Sequence, residues 1–237
     1  MQALILAAGL GKRMRPLTDD LPKPLLQVGG KALIEHQIER LVAAGVSDIV
    51  INLFHLGHKI QQALGDGSRY GAHIRYSQED IPMETAGGII KAMPLLASDC
   101  FIVANADVWT DFDYARLKAI TNKDCLGHLV LVRDAEHNPQ GDFYLDSNGR
   151  VHTAPPSSPS STPETKNQQD PQHQRLTFTG ISVLHKNLFH GLPVRPCPVV
   201  PLLQEAMQRS LITGELHTGR WMDIGTPERL KKANAML

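Results

Sequence analysis

Apolar positions along the chain fall into short blocks that alternate between two periods. The first, Ala3 to Ala8, is a continuous apolar run of the buried-strand type. In Leu33–Ala44, Ile34, Ile38, Leu41 and Val42 recur at i, i+4, i+7 and i+8, the spacing of one helix face. Gly45 stands where such a helix ends. The pattern then predicts a strand at Asp48–Leu53, a helix at His55–Leu64, a short strand at His73–Tyr76 and a helix beginning in Gly88–Met93. A strand at Cys100–Ala104, a helix at Asp113–Ile120 and a strand at Leu126–Val132 follow. This alternation predicts an α/β protein of three layers, α/β/α, with a mixed, mainly parallel sheet. Ligands of such sheets bind at the carboxyl ends of the strands. The Ala7–Gly11 segment and the Asn105-Ala106-Asp107 turn both fall at such ends.

The second half changes rhythm. Phe143–Leu145 and Arg150–His152 flank a hairpin-type turn, Asp146-Ser147-Asn148-Gly149. Leu176–Leu184 reads as a strand, Val199–Arg209 as a helix and Thr226–Ala235 as a C-terminal helix. Between them, Thr153–Arg175 holds no aliphatic residue larger than Ala and no aromatic. Such a segment buries too little surface to offset the entropy of ordering it. We expect one domain over residues 1–237 with a disordered loop at 153–175. There are no internal repeats.

Composition narrows the classes. Twenty-four basic and twenty-four acidic residues give a formal net charge of zero. That argues against binding driven by bulk charge, so neither a nucleic acid nor a membrane is an expected partner. Three cysteines without metal spacing read as buried free thiols. The first apolar run is too short for a signal peptide or a membrane span. A cytoplasmic location is the expectation.

Against that neutral background one cluster stands out. Gly9, Gly11, Lys12, Arg13, Arg15 and Lys23 lie within seventeen residues after the first strand. Bare backbone N–H groups and fixed positive charge suit a polyphosphate. Two common phosphate loops fail on spacing. A G-x-G-x-x-G turn would need glycine at Met14, and Pro16, Pro22 and Pro24 stop a helix from starting at once. A Walker A loop would need a hydroxyl where Arg13 stands. What remains is Ala7-Ala8-Gly9-Leu10-Gly11-Lys12-Arg13-Met14-Arg15-Pro16-Leu17-Thr18 followed by Pro22-Lys23-Pro24-Leu25.

This conjunction resembles the sugar-1-phosphate nucleotidyltransferases, the nucleotide-sugar pyrophosphorylase family. The resemblance implies a Rossmann-like fold of the nucleotide-diphospho-sugar transferase type. It implies that the loop from Ala7 and Ala8 through Gly9 and Gly11 wraps the phosphates of a nucleoside triphosphate. Arg13 would act on the α-phosphate and the departing pyrophosphate, and Lys23 would hold the phosphates where the two substrates meet. These two are the candidate catalytic residues.

The reaction brings about four negative charges beside about two, a repulsion of several kcal/mol unless cations intervene. A Mg²⁺ ion held by one or two carboxylates and the substrate phosphates would supply one. Asp107 at a strand end and Asp223 in Trp221-Met222-Asp223-Ile224-Gly225-Thr226 match the family's metal aspartates in order and context. Taken singly, the first is an ordinary turn aspartate and the second a helix-approach carboxylate before the Thr226 cap. Glu84-Thr85-Ala86-Gly87-Gly88 corresponds to the segment that holds base and ribose. Thr85, Gly87, Asn105 and, for the base itself, Glu79 are the further nucleotide-binding candidates, with Gln78 a weaker alternative to Glu79. A carboxylate there could accept from uracil or from guanine. Asp142 and Gly180 match segments that line the sugar pocket. The eleven histidines show no metal spacing.

Within the family, the guanylyltransferases of mannose 1-phosphate carry a Glu-Lys-Pro segment between these last two regions. Here the only lysine in that interval is Lys166, in Glu164-Thr165-Lys166-Asn167. By contrast, Asn105-Ala106-Asp107-Val108-Trp109-Thr110-Asp111, Glu84-Thr85-Ala86-Gly87-Gly88-Ile89, the segment Thr177 to His185, the Trp221-Met222-Asp223-Ile224-Gly225-Thr226 ending and the short length resemble the compact bacterial N-acetylmuramate-1-phosphate uridylyltransferases of cell-wall recycling. The resemblance implies UTP and N-acetylmuramate 1-phosphate as substrates, Mg²⁺ as cofactor and a monomer or small homo-oligomer. Mannose-1-phosphate guanylyltransferase and a catalytically inactive nucleotide-sugar-binding homologue are the alternatives.

Overall fold

The computed structural model describes residues 1–120, 125–133, 135–155 and 175–236. Of the loop expected at 153–175, residues 156–174 lie outside the described residues. In chain order the elements are β1 (Gln2–Leu6), β2 (Gln27–Val28), β3 (Lys31–Ala32), α1 (Leu33–Ala43), β4 (Asp48–Leu53), α2 (Gly57–Leu64), β5 (His73–Gln78) and α3 (Glu84–Ala92). There follow β6 (Cys100–Asn105), β7 (Val108–Thr110), β8 (Gly127–Val132), β9 (Tyr144–Leu145), β10 (Val151–His152), β11 (Thr177–His185), α4 (Val200–Gln208), β12 (Ile212–Leu216), β13 (Trp221–Asp223) and α5 (Pro227–Ala235).

Seven strands form one sheet in the order β12-β8-β11-β6-β1-β4-β5. β1 runs parallel to β4 and to β6, β5 parallel to β4, and β12 parallel to β8. β11 is antiparallel to both its neighbours, β6 and β8. The sheet is therefore mixed and mainly parallel, as the β-α alternation predicts. Side chains alternate across it. Ala3 and Ile5 face one layer, with Ile34, Ile38 and Leu41 of α1 and Ile60 of α2. Leu4 faces the other, with Ile89 and Ile90 of α3 and Leu203 and Met207 of α4. Burial on both faces is why β1, β4 and β6 read as predominantly apolar runs.

After β5 the chain crosses to the opposite side of β1 to form β6. The loops leaving β1 and β6 consequently part in opposite directions and leave a crevice at their carboxyl ends.

A smaller third cluster lies outside the two main layers. Met14, Leu26, Val28, Leu33, Trp109, Ile224 and Ala233 pack together there, all buried. This cluster ties the segment after β1 to β7 and to the strand-to-helix turn before α5.

Several elements differ from the sequence expectation for identifiable reasons. The helix expected to begin within Gly88–Met93 starts at Glu84, because the Cys197 carbonyl accepts from Ala86 N and Gly87 N at 2.9 and 3.2 Å. Helix α2 starts at Gly57 rather than His55, since Leu56 takes a left-handed φ of 53°. The expected helix Asp113–Ile120 is a 3₁₀ segment, Tyr114–Ala119, capped by the Asp113 carboxylate. The thiols are all free, but only Cys125 is buried. Among the described residues no helix is long and apolar enough to cross a membrane.

Candidate active site

A cleft of about 360 Å³ opens at the carboxyl ends of β1, β4 and β6. Ala7, Ala8, Gly9, Lys23, Glu79, Thr85, Asn105 and Asp107, all singled out from the sequence, line it. Asn52, Pro82, Met83 and Glu84 complete much of the rest.

The glycine segment is held open by its own short-range contacts. Gly11 adopts a left-handed conformation, φ 61°. Its carbonyl accepts from Met14 N and from the Thr18 hydroxyl, both at 2.8 Å. Thr18 is buried, so this latch is fixed. Lys12–Met14 forms one 3₁₀ turn and goes no further. The prolines then deliver Lys23 into a second short turn, with Leu25 N donating to Pro22 O at 2.8 Å. Lys23 is 8% exposed and its ammonium is hydrogen-bonded to Asp107 Oδ2.

Asp107 follows β6. Ala106 N donates to Leu6 O at 3.0 Å, and the buried Gln37 amide donates to Val108 O at 2.5 Å. The turn is thereby pinned to β1 on one side and α1 on the other. Antiparallel pairing of β7 with β13 places Asp223 opposite Val108, and Ile224 N donates to Asp107 O at 2.9 Å. Two residues 116 positions apart in the numbering thus have their backbones side by side. Asp223 is ion-paired with Arg229 of α5. A β-carbon on Gly225 would come within 2.5 Å of Asp223 Oδ1 and Arg229 Nη2 and 3.1 Å of Arg13 Nη2. Arg13 therefore stands beside the Asp223–Arg229 pair, outside the cleft lining.

Asp107 and Asp223 are hard oxygen donors, the type Mg²⁺ takes in ones and twos alongside substrate phosphates. Each already attracts a cation, Lys23 or Arg229. Among the described residues no group of three His, Cys, Asp or Glu side chains forms a ligand set. In chemical type these donors suit a divalent ion that draws its remaining ligands from a substrate, although Asp107 lines the cleft and Asp223 a second cavity.

Other expectations land differently. Glu79 lines the cleft at 3% exposure, yet Oε1 accepts from Asn52 at 2.7 Å and Oε2 from Met83 N at 3.2 Å. Burial raises its carboxyl above the ordinary value against these donors. Gly87 does not line the cleft, and its Cα faces the Arg195 carbonyl. Because Ala86 N and Gly87 N donate to the Cys197 carbonyl, these two amides are not offered to a phosphate. Asp142 holds Asn138 Nδ2 at 2.9 Å and Phe178 N at 2.8 Å with its two oxygens. Gly180, φ 77°, leaves room for the Asn105 amide.

Three side chains escaped the sequence reading. Asn52 is the one polar interruption in the buried part of β4. Arg229 sits three residues after the Thr226 cap. Trp221 lies on the same strand face as Asp223, with Nε1 donating to Thr179 O at 3.1 Å. Trp221, Asp223 and Arg229 line a second cavity of about 410 Å³. An aromatic two residues before a candidate ligand was the signal available for Trp221.

Comparison with known proteins agrees with this geometry. The family described as nucleotidyl transferase matches residues 2–154. An N-acetylmuramate alpha-1-phosphate uridylyltransferase of Neisseria meningitidis serogroup B is 43% identical, over 100% of this chain and 98% of that one. Its namesake from Caulobacter vibrioides is 30% identical over 99% and 96%. A mannose-1-phosphate guanyltransferase of Aspergillus fumigatus is 32% identical over 96% of this chain and 62% of that one. Among solved structures, a putative glucose-1-phosphate thymidylyltransferase from Bacillus anthracis superposes with a TM-score of 0.81 at 21% identity, covering 100% of this chain and 94% of that one. By these matches the chain belongs to the nucleotidyl transferase family.

Proposed function

We propose that this protein joins UTP and N-acetylmuramate 1-phosphate to give UDP-N-acetylmuramate and pyrophosphate, a step of peptidoglycan recycling in the cytoplasm. The observation that carries the reaction is the meeting of Lys23 and Asp107 on the wall of a cleft that the glycine-loop residues Ala7, Ala8 and Gly9 also line. The choice of sugar and base leans on the uridylyltransferases, which this chain matches along nearly the whole of both lengths.

In this reading the triphosphate lies along Ala7–Gly11 and its nucleoside reaches toward Met83–Thr85. Lys23 leaves Asp107 for the phosphates and neutralises charge where the two substrates meet. Arg13, beside Asp223, steadies the pyrophosphate as it departs. Asp107 and Asp223 would hold Mg²⁺, which when bound supplies charge neutralisation at the α-phosphate. No general base is needed, because the attacking sugar-phosphate oxygen is already ionised. The sugar approaches from the side of Asn105, Gly180 and Asp142. Two ordered groups oriented in line account for much of the rate such a site can reach.

The test is a panel of nucleoside triphosphates against N-acetylmuramate, mannose, glucose and N-acetylglucosamine 1-phosphates, read by pyrophosphate release with Mg²⁺. The highest kcat/KM is expected for UTP with N-acetylmuramate 1-phosphate. GTP with mannose 1-phosphate as the best pair would move the assignment to the guanylyltransferases. Silence across the panel would mean a binding homologue.

A further inference from the structure

Asn52 and Glu79 form a polar pair beneath the cleft that the reaction itself does not call for. Both are 3% exposed. Asn52 Oδ1 accepts from Ala7 N at 2.8 Å, across 45 residues of sequence. Asn52 Nδ2 donates to Glu79 Oε1 at 2.7 Å. Glu79 Oε2 accepts from Met83 N at 3.2 Å, and Glu79 N donates to Leu53 O at 2.7 Å. Three loops, at the carboxyl ends of β1, β4 and β5, are joined by this chain of bonds.

The direction of the chain is fixed by its ends. Ala7 N–H and Met83 N–H can only donate. Ala7 therefore takes the oxygen of Asn52 and turns the amide NH₂ toward Glu79. Glu79 must then accept at both oxygens, which a carboxylate does and an amide cannot. On the α3 side the pair is tightly packed, while its other side forms part of the cleft wall. A methyl group on Gly88 of α3 would come 2.6 Å from Glu79 Oε1 and 2.8 Å from Asn52 Nδ2. At 3% exposure an unmatched donor or acceptor is expensive, because little water reaches the missing partner's place.

We propose that Asn52 and Glu79 are positioning residues that fix the phosphate wall of the cleft, Ala7–Gly9, against its nucleoside wall, Met83–Thr85. Glu79 acts through this pair rather than by reading the base. The proposal rests on the assignment of the cleft to a nucleoside triphosphate. Its content is a geometric coupling: disturbing either residue moves both walls.

Exchanging the two functional groups tests it. In Asn52→Asp two carboxylates face each other. In Glu79→Gln an amide NH₂ meets either the Asn52 NH₂ or the Met83 N–H. In the double variant Asn52→Asp/Glu79→Gln every bond is restored with the polarity of the central one reversed. The new carboxylate at position 52 accepts from Ala7 N and from the new amide NH₂ at position 79. The amide oxygen at position 79 accepts from Met83 N. We expect each single variant to raise the UTP dissociation constant and KM by about tenfold or more, the size of one buried polar mismatch. The double variant should return to within about threefold of wild type, with kcat changed less than KM throughout. A folded double variant as weak as the poorer single would overturn the proposal and make Glu79 a base contact. Amide hydrogen exchange without ligand supplies the second readout. Segments 5–10 and 81–87 should lose protection together in each single variant and regain it together in the double. Loosening of one segment alone would likewise overturn the coupling. Should wild type bind no UTP, the nucleotide assignment fails, and the exchange experiment still decides the coupling.

Discussion

Lys23 and Asp107 lie 84 residues apart and share an ion pair in which the lysine is almost wholly enclosed. In the proposed reaction this pair would exchange partners, Asp107 taking a metal ion and Lys23 the substrate phosphates. Asp107→Asn keeps the shape and removes the charge. Pyrophosphate release should fall by about 100-fold or more, the scale of losing one preorganised electrostatic group. The ligand-free protein should also lose about 1–3 kcal/mol, since a charged hydrogen bond becomes a neutral one beside an enclosed ammonium. Initial rates and urea unfolding read the two effects. Undiminished turnover would remove Asp107 from the reaction.

Met14 occupies the position where a dinucleotide-binding turn would have its last glycine, and here it is an anchor. Its side chain is fully buried with Leu26, Trp109 and Ile224. Truncation to alanine should cost about 2–5 kcal/mol by the transfer and cavity terms. Because the same cluster ties the glycine segment to the Asp107 and Asp223 ladder, the KM for UTP should rise as well. A change in unfolding free energy below about 1 kcal/mol, less than such truncations cost in a packed core, would show that the loop is held by the Thr18–Gly11 latch alone.

What the sequence made legible follows from period and proximity. Strands β1, β4 and β6 are buried on both faces and so read as apolar runs. Helix α1 shows its face because its neighbours in sequence are also neighbours in space. The glycine segment, Lys23 and Asp107 were readable as chemistry because residue types at strand ends have few other uses in that combination. Asn52 was not, because one amide in an apolar strand gains its meaning only from Ala7 and Glu79, each brought there by a different strand. The same holds for Gly87, whose partners are the carbonyls at 195 and 197, and for β7 and β13, too short to carry a period. Glu79 and Asp142 were found by position, but the bonds that occupy their oxygens were invisible before the fold.

Glu79 gives a pH signature. Burial raises its carboxyl above the usual glutamate range, opposed by Asn52, the Met83 amide and Lys91. The folded protein thus keeps a proton at Glu79 at pH values where the unfolded chain has released it. The stability linked to this group is present below the unfolded value, about 4.3, and is lost as pH rises through the higher folded value. Glu79→Gln cannot titrate there. The unfolding free energy of wild type relative to the variant should therefore fall as pH climbs through that interval and then level off. Thermal unfolding of both proteins across acidic buffers checks it. A difference that grows with pH would mean that the donors around Glu79 outweigh its burial.

Gly9 and Gly225 offer a paired contrast at the two ends of the site. A β-carbon on Gly9 would meet nothing within 4 Å, and in the proposed reaction that open space takes the triphosphate. Gly9→Ala should leave the unfolding temperature unchanged or slightly raised and increase the KM for UTP several-fold. A β-carbon on Gly225 would press on Asp223, Arg229 and Arg13 at once. Neither glycine has a positive φ, so alanine removes unfolded-state entropy at both, a gain of about 0.4–1 kcal/mol that partly offsets the crowding at Gly225. There the damage should therefore show in chemistry more than in stability. Displacing Arg13 from Asp223 by even about 1 Å is of the size that costs about 100-fold in rate. We expect Gly225→Ala to lower kcat by about tenfold or more with UTP binding nearly intact, measured by calorimetric titration beside steady-state rates. Equal losses in kcat and in UTP affinity would place Arg13 and Asp223 in ground-state binding instead of at the departing pyrophosphate.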